Sequence, residues 1–161
     1  MTKMHYLAAS HTAHRRPWFA RLVGLLLGLL MLGTGHAAEK DPSNATRVWM
    51  TVGDRRFAVS LAATEAARAF AARLPLSLQM TDLHDNEKKF DLPDALPANP
   101  ARPGTIRNGD LMLWGANTVV LFYKTFDSTY SYTRLGRVDD PTGLAQAVGR
   151  GSVQIRFAAQ D

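Results

Sequence analysis

The sequence predicts a mainly β protein: a closed or nearly closed barrel of about eight short strands, with two short helices. Three observations carry this. From Arg47 onward, short segments alternate apolar and polar residues, which is the period of a strand with one buried face. Turn residues, several of them glycines, separate these segments. Helical spacing occurs in only two short stretches.

The elements follow in chain order. Arg47 to Val52 places Val48, Met50 and Val52 on one side, and Arg55 to Leu61 does the same with Phe57, Val59 and Leu61. Gly53-Asp54 between them predicts a hairpin. Thr64-Glu65-Ala66-Ala67 can cap a helix, in which Ala66, Ala67, Phe70, Ala71 and Leu74 share a face, and Pro75 ends it. Leu76 to Leu83 alternates again. His84 to Lys89 is a polar stretch, followed by Phe90-Asp91-Leu92-Pro93. The proline-rich segment Pro93 to Pro103 is expected to be an ordered loop over the domain, because strands follow it. Leu111 to Trp114 and Thr118 to Tyr123, joined by Gly115-Ala116-Asn117, predict a second hairpin. Phe126 to Thr133 is aromatic and hydroxyl-rich. Leu135 to Val138 predicts a short strand, Pro141 to Val148 a short helix, and Val153 to Phe157 the last strand.

The N-terminus has its own logic. Lys3, Arg15, Arg16 and Arg21 make it positive, Leu22 to Leu32 is apolar, and Gly33 to Ala38 is built of small residues apart from His36. This is the pattern of a secretory signal peptide. The apolar run falls short of the roughly 20 residues that span a membrane. Cleavage is expected after Ala37 or Ala38. Arg15-Arg16 hints at a twin-arginine signal, but the ordinary secretory route fits better. The expected organisation is a signal peptide over 1–38, a flexible leader over 39–46 and one folded domain over 47–161. Localisation is expected to be periplasmic or secreted, with the membrane met only through the uncleaved signal.

Export changes the charge argument. Four of the 19 Lys+Arg precede Ala38 and none of the 14 Asp+Glu do, which leaves 15 bases against 14 acids. A basic surface for nucleic acid is therefore not expected. With no cysteine there are no disulfides, thiol nucleophiles or thiolate metal sites. His84 is the one histidine of the five that follows Ala38, which excludes a His-rich metal centre. No cofactor or metal is implied. A Ser-His-Asp hydrolase would need His84 as its base, and no nucleophile-elbow signature accompanies it. Gly149-Arg150-Gly151 is too short for a phosphate loop and is read as a turn.

The segments Thr64–Leu76 (TEAARAFAARLPL), Asp91–Leu96 (DLPDAL), Gly109–Phe126 (GDLMLWGANTVVLFYKTF) and Leu135–Asp139 (LGRVD) resemble, in order and spacing, the small bacterial cyclophilin-like domain proteins. The resemblance implies an eight-stranded barrel of cyclophilin type closed at its ends by helices. It implies no defined activity, since such family members are largely uncharacterised. True cyclophilins carry an Arg within a Phe-His-Arg-Val type strand and a Gln-Gly-Gly-Asp segment. Neither occurs here, and Arg55-Arg56-Phe57 lies in the first hairpin. Prolyl isomerase chemistry is thus not transferred by fold alone.

The leading candidate surface is the aromatic group Trp114, Phe122, Tyr123, Phe126, Tyr130 and Tyr132, since aromatics with polar tips near turns suit a concave ligand site. Phe122 is expected in the core. Trp114 and Tyr123 fit core or site equally, while Tyr130 and Tyr132 are expected to be partly exposed. Asp91 is read chiefly as a turn carboxylate capping backbone amides. Trp114, Tyr123, Phe126, Tyr130 and Asp91 together form the candidate ligand site, and no catalytic residue is identified. Lys124 fits a ligand carboxylate or plain solvent. The expected function is an exported module that binds an extended peptide or a small molecule. The alternative is a divergent prolyl isomerase, for which Arg102, Arg107 and Arg134 are the available guanidinium groups.

Overall fold

The computed structural model describes residues 46–160. The expected signal peptide and all of the expected leader except Thr46 lie outside them. The first hairpin forms as its pattern dictates: β1 (Arg47–Val52) and β2 (Arg55–Leu61) pair antiparallel, with Val52 opposite Arg55. Gly53 takes a left-handed φ of 54° in the two-residue turn, a conformation that costs glycine little. Then come α1 (Glu65–Ala71), β3 (Leu76–Leu83), β4 (Glu87–Asp91), β5 (Gly104–Ile106), β6 (Asp110–Trp114) and β7 (Thr118–Phe122). The chain ends with β8 (Phe126–Ser128), β9 (Thr133–Val138), α2 (Leu144–Val148) and β10 (Val153–Ala159).

Eight strands close a barrel in the order β1-β10-β3-β4-β7-β6-β9-β2, and every pairing is antiparallel. Closure removes the unpaired edges of an open sheet. The interior holds Met50, Val59, Met80, Leu111, Leu121, Leu135 and Phe157, all with no exposure. Gly136 belongs to this closure: a Cβ there would stand 2.6 Å from the Ser60 carbonyl oxygen, so β9 can approach β2 only without a side chain.

The helices cover opposite ends of the barrel. α1 lies between the end of β2 and the start of β3. Thr64 caps it by accepting the Ala67 amide at 3.0 Å, and Phe70 meets Phe157 edge-on at 5.3 Å. The helix is shorter than its apolar spacing predicts and stops at Ala71 rather than running to Leu74. Beyond it, Arg73 turns to donate to the carbonyls of Asp94 and Ala95, which ties down the proline-rich loop. α2 inserts Leu144 and Val148 into the same interior at the other end, where Arg55 reaches the Thr142 carbonyl.

Two departures from the sequence reading matter most. The polar stretch His84 to Lys89 contains a turn and most of a barrel strand, β4, whose inward residues are Lys88 and Phe90. Lys88 is fully buried, and all three of its N–H donors are used: by the Asp82 carboxylate, by Gly149 O at 2.8 Å and by Gly151 O at 2.7 Å. The second departure is a short ribbon, β5–β8, outside the barrel. Beneath it lies a second apolar cluster of Ile106, Met112, Val120, Phe122 and Tyr132. It explains why β6 and β7 are apolar almost throughout, since both of their faces are covered.

Lys88→Met keeps the apolar stem but leaves two loop carbonyls and a carboxylate short of their donor. Breaking such a buried ion pair costs about 3–5 kcal/mol. Urea unfolding is expected to show a loss of at least about 3 kcal/mol. Lys89→Met, on the outward side of the same strand, is expected to change stability by less than about 1 kcal/mol.

Candidate functional site

On the outer face of β4, β7 and β6, alternation presents Glu87 and Lys89, Thr118 and Val120, and Met112 and Trp114. The segment from Phe126 to Tyr132 crosses this face, anchored by the β5–β8 ribbon and by an isolated bridge from Tyr132 to Ala101. Between the sheet and this segment runs a groove of about 280 Å³. Trp114, Phe126, Tyr130 and Tyr132 give it aromatic walls. Trp114 is 54% exposed and Tyr130 66%.

One end of the groove is polar, and the turn before β4 builds it. His84 and Asp85 both take left-handed φ angles, 55° and 54°. That is the backbone of a type I′ turn, which suits a tight hairpin. Asp82 supports the turn: one carboxylate oxygen accepts the Asp85 amide at 3.1 Å, and the other accepts Lys88 and, at 2.8 Å, the Tyr123 hydroxyl. Burial pushes the Asp82 carboxyl upward, but the hydrogen bonds from Lys88 and Tyr123 outweigh it, and its pKa settles below the ordinary value. Held in this way, the turn delivers Asn86 and Glu87 to the groove.

Glu87 is 8% exposed, and its carboxyl makes no hydrogen bond or ion pair among the described residues. Burial raises its pKa, only partly offset by the charges of His84 and Lys89. Beside it, Asn86 Oδ1 is buried and has no hydrogen-bond donor. At the opposite end, Asp91 accepts the Thr118 hydroxyl at 2.6 Å and Lys89 at 3.4 Å. The Thr118 bond is the main reason its pKa falls.

The model of the cyclophilin-like family matches residues 50–158. The chain belongs to the cyclophilin-like family. A hypothetical protein of Archaeoglobus fulgidus, whose structure was determined in solution, shares the fold. Its TM-score is 0.50 at 17% identity, covering 72% of this chain and 95% of that one. No curated protein matches the chain.

This cyclophilin-like barrel separates the residues singled out in the sequence. Trp114, Phe126 and Tyr130 meet in the groove. Tyr123 does not: it points into the barrel, 6% exposed, with its ring 5.3 Å from the Lys88 ammonium. Burial first, and then the Asp82 carboxylate, raise its phenol pKa. Asp91 holds a side-chain hydroxyl instead of capping amides, and it stands beside the groove-lining Thr118. Tyr132 is buried against Phe122, not partly exposed. Phe122 is in a core, though it is the outer one. Lys124 is exposed. Arg102, Arg107 and Arg134 are exposed, and no arginine is among the described groove residues. Sequence reasoning left Glu87 and Asn86 out of the ligand site. Their signal was the break in polarity between two apolar strands, which read as a loop.

The Glu87 shift has a definite sign. A carboxyl that holds its proton more tightly when folded favours the folded state at acid pH and opposes it once ionised. Its contribution is therefore lost as pH rises through and above the glutamate range. Glu87→Gln is expected to raise Tm at pH 7, with the gain vanishing below about pH 4. Thermal melts across that range measure it.

Proposed function

We propose that the protein is exported and acts in the periplasm as a binding module, holding an extended peptide or a small molecule in the outer groove. One observation carries this reading. The exposed large hydrophobic residues of the described chain are Trp114 and Tyr130, and both line that groove. A single exposed aromatic is ordinary, but two bordering one aromatic-walled groove form the kind of apolar concave surface that marks a binding site. The groove is formed by paired strands and an anchored ribbon, so binding would not have to order it first.

Prolyl isomerisation is less well supported. In this fold that chemistry relies on a guanidinium near the amide nitrogen, and the groove residues supply none. The groove offers aromatic contact surface and hydrogen-bond acceptors, which suits holding a ligand better than turning an amide.

The test uses the full chain, expressed with its own N-terminus and recovered from the periplasm. N-terminal sequencing is expected to begin at Ala38 or Glu39. Tryptophan fluorescence is expected to shift with members of a peptide and metabolite panel. Trp114→Ala is expected to weaken those ligands about tenfold or more, as loss of an aromatic anchor does. Retention of the N-terminal segment in the cytoplasm, or a panel without any response, contradicts the reading.

A further inference from the structure

The polar end of the groove has an unusual balance. Asn86 and Glu87 both offer acceptors there: Asn86 Oδ1 is buried without a donor, and the carboxyl of Glu87, a residue 8% exposed, has no partner among the described residues. The other carboxylates nearby are occupied: Asp82 by Lys88 and Tyr123, and Asp91 by Thr118 and Lys89. Lys89 is thereby drawn toward Asp91, and His84 stands exposed at the rim. Neither comes within ion-pair distance of Glu87. A largely buried carboxyl without a protein partner is costly to keep ionised. An adjacent buried acceptor without a donor adds to that cost.

The surroundings point to what would relieve it. Trp114, Phe126, Tyr130 and Tyr132 line the same groove, and aromatic faces attract cations. An anionic ligand would meet two acceptors head-on. A neutral apolar ligand would leave both unpaired. A ligand bearing N–H donors on a positive nitrogen would satisfy the carboxylate, the amide oxygen and the rings together.

We propose that the groove selects ligands by a protonated nitrogen, whose N–H groups are received by the Glu87 carboxylate and Asn86 Oδ1 while the aromatic walls hold the adjacent apolar body. This rests on the groove being the binding site. The cation can belong to a free amine or to a lysine side chain of an extended peptide, and the chemistry at Glu87 is the same.

The test compares matched probes by NMR shifts of the groove residues, including the Trp114 indole. The small probes are 2-phenylethylammonium, 2-phenylethanol and 3-phenylpropanoate. The peptide probes are end-capped Ala-Ala-Lys-Ala-Ala and its norleucine counterpart. The cation of at least one set is expected to bind about tenfold or more tightly than its uncharged and anionic partners. Glu87→Gln is expected to abolish that preference, bringing the cationic probe of the responding set to the affinity of its uncharged partner. Asn86→Ala is expected to lower cation affinity several-fold. Which set responds separates a free amine from a peptide side chain. If uncharged or anionic probes bind the groove as well as cations do, the cation proposal is overturned and the groove remains a binding site. If no probe perturbs the groove, the cation proposal is overturned. The wider ligand panel then decides the binding reading separately.

Discussion

The buried ammonium of Lys88 is the constraint around which this barrel is arranged. A charge without access to water is tolerated only when every donor has an acceptor and an opposite charge stands near. Here the three acceptors come from two places far apart in the chain: Asp82 at the end of β3, and the carbonyls of Gly149 and Gly151 in the loop between α2 and β10. One side chain thus fixes the β3–β4 hairpin to the loop at that end of the barrel. Asp82 carries the arrangement further, since the same carboxylate holds Tyr123 and the backbone of the turn at Asp85.

The outer groove depends on that frame. The turn that Asp82 braces is followed at once by Asn86 and Glu87, so the polar end of the groove is set from inside the barrel. The aromatic end is set differently. Met112, Val120 and Phe122 form an apolar patch on the outside of β6 and β7, and the patch holds down Ile106, Tyr132 and part of Phe126. With both faces covered, these two strands are the most deeply buried in the fold. A rigid floor of this kind lets Trp114 and Tyr130 stay exposed beside it without disturbing the interior.

Much of the fold was legible in the sequence because most strands bury one face, and burial of one face imposes alternation. Val48, Met50, Val52, Phe57, Val59 and Leu61 all sit where alternation puts them. The Thr64 cap and the two hairpins were equally direct. β4 was not legible, because one of its two inward positions holds a lysine, and a charged residue reads as solvated unless its partners are known. Those partners lie six residues back and about sixty residues ahead, beyond the reach of any local pattern. The ribbon β5–β8 escaped notice because its strands are three residues each. The aromatic cluster was visible as a group, but which face each ring takes depends on register. Tyr123, one residue past the end of β7, faces inward, while Phe122 faces outward.

The central claim, that a fully paired lysine ties the β3–β4 hairpin to the α2–β10 loop, can be read from the ammonium itself. Exposed lysine ammonium protons exchange with water too fast to give sharp signals, whereas a buried, triply bonded group does not. Heteronuclear NMR of lysine Nζ should reveal a slowly exchanging resonance for Lys88, with couplings across hydrogen bonds to the carbonyl carbons of Gly149 and Gly151. A Lys88 signal that exchanges as fast as those of exposed lysines, without such couplings, would contradict the account.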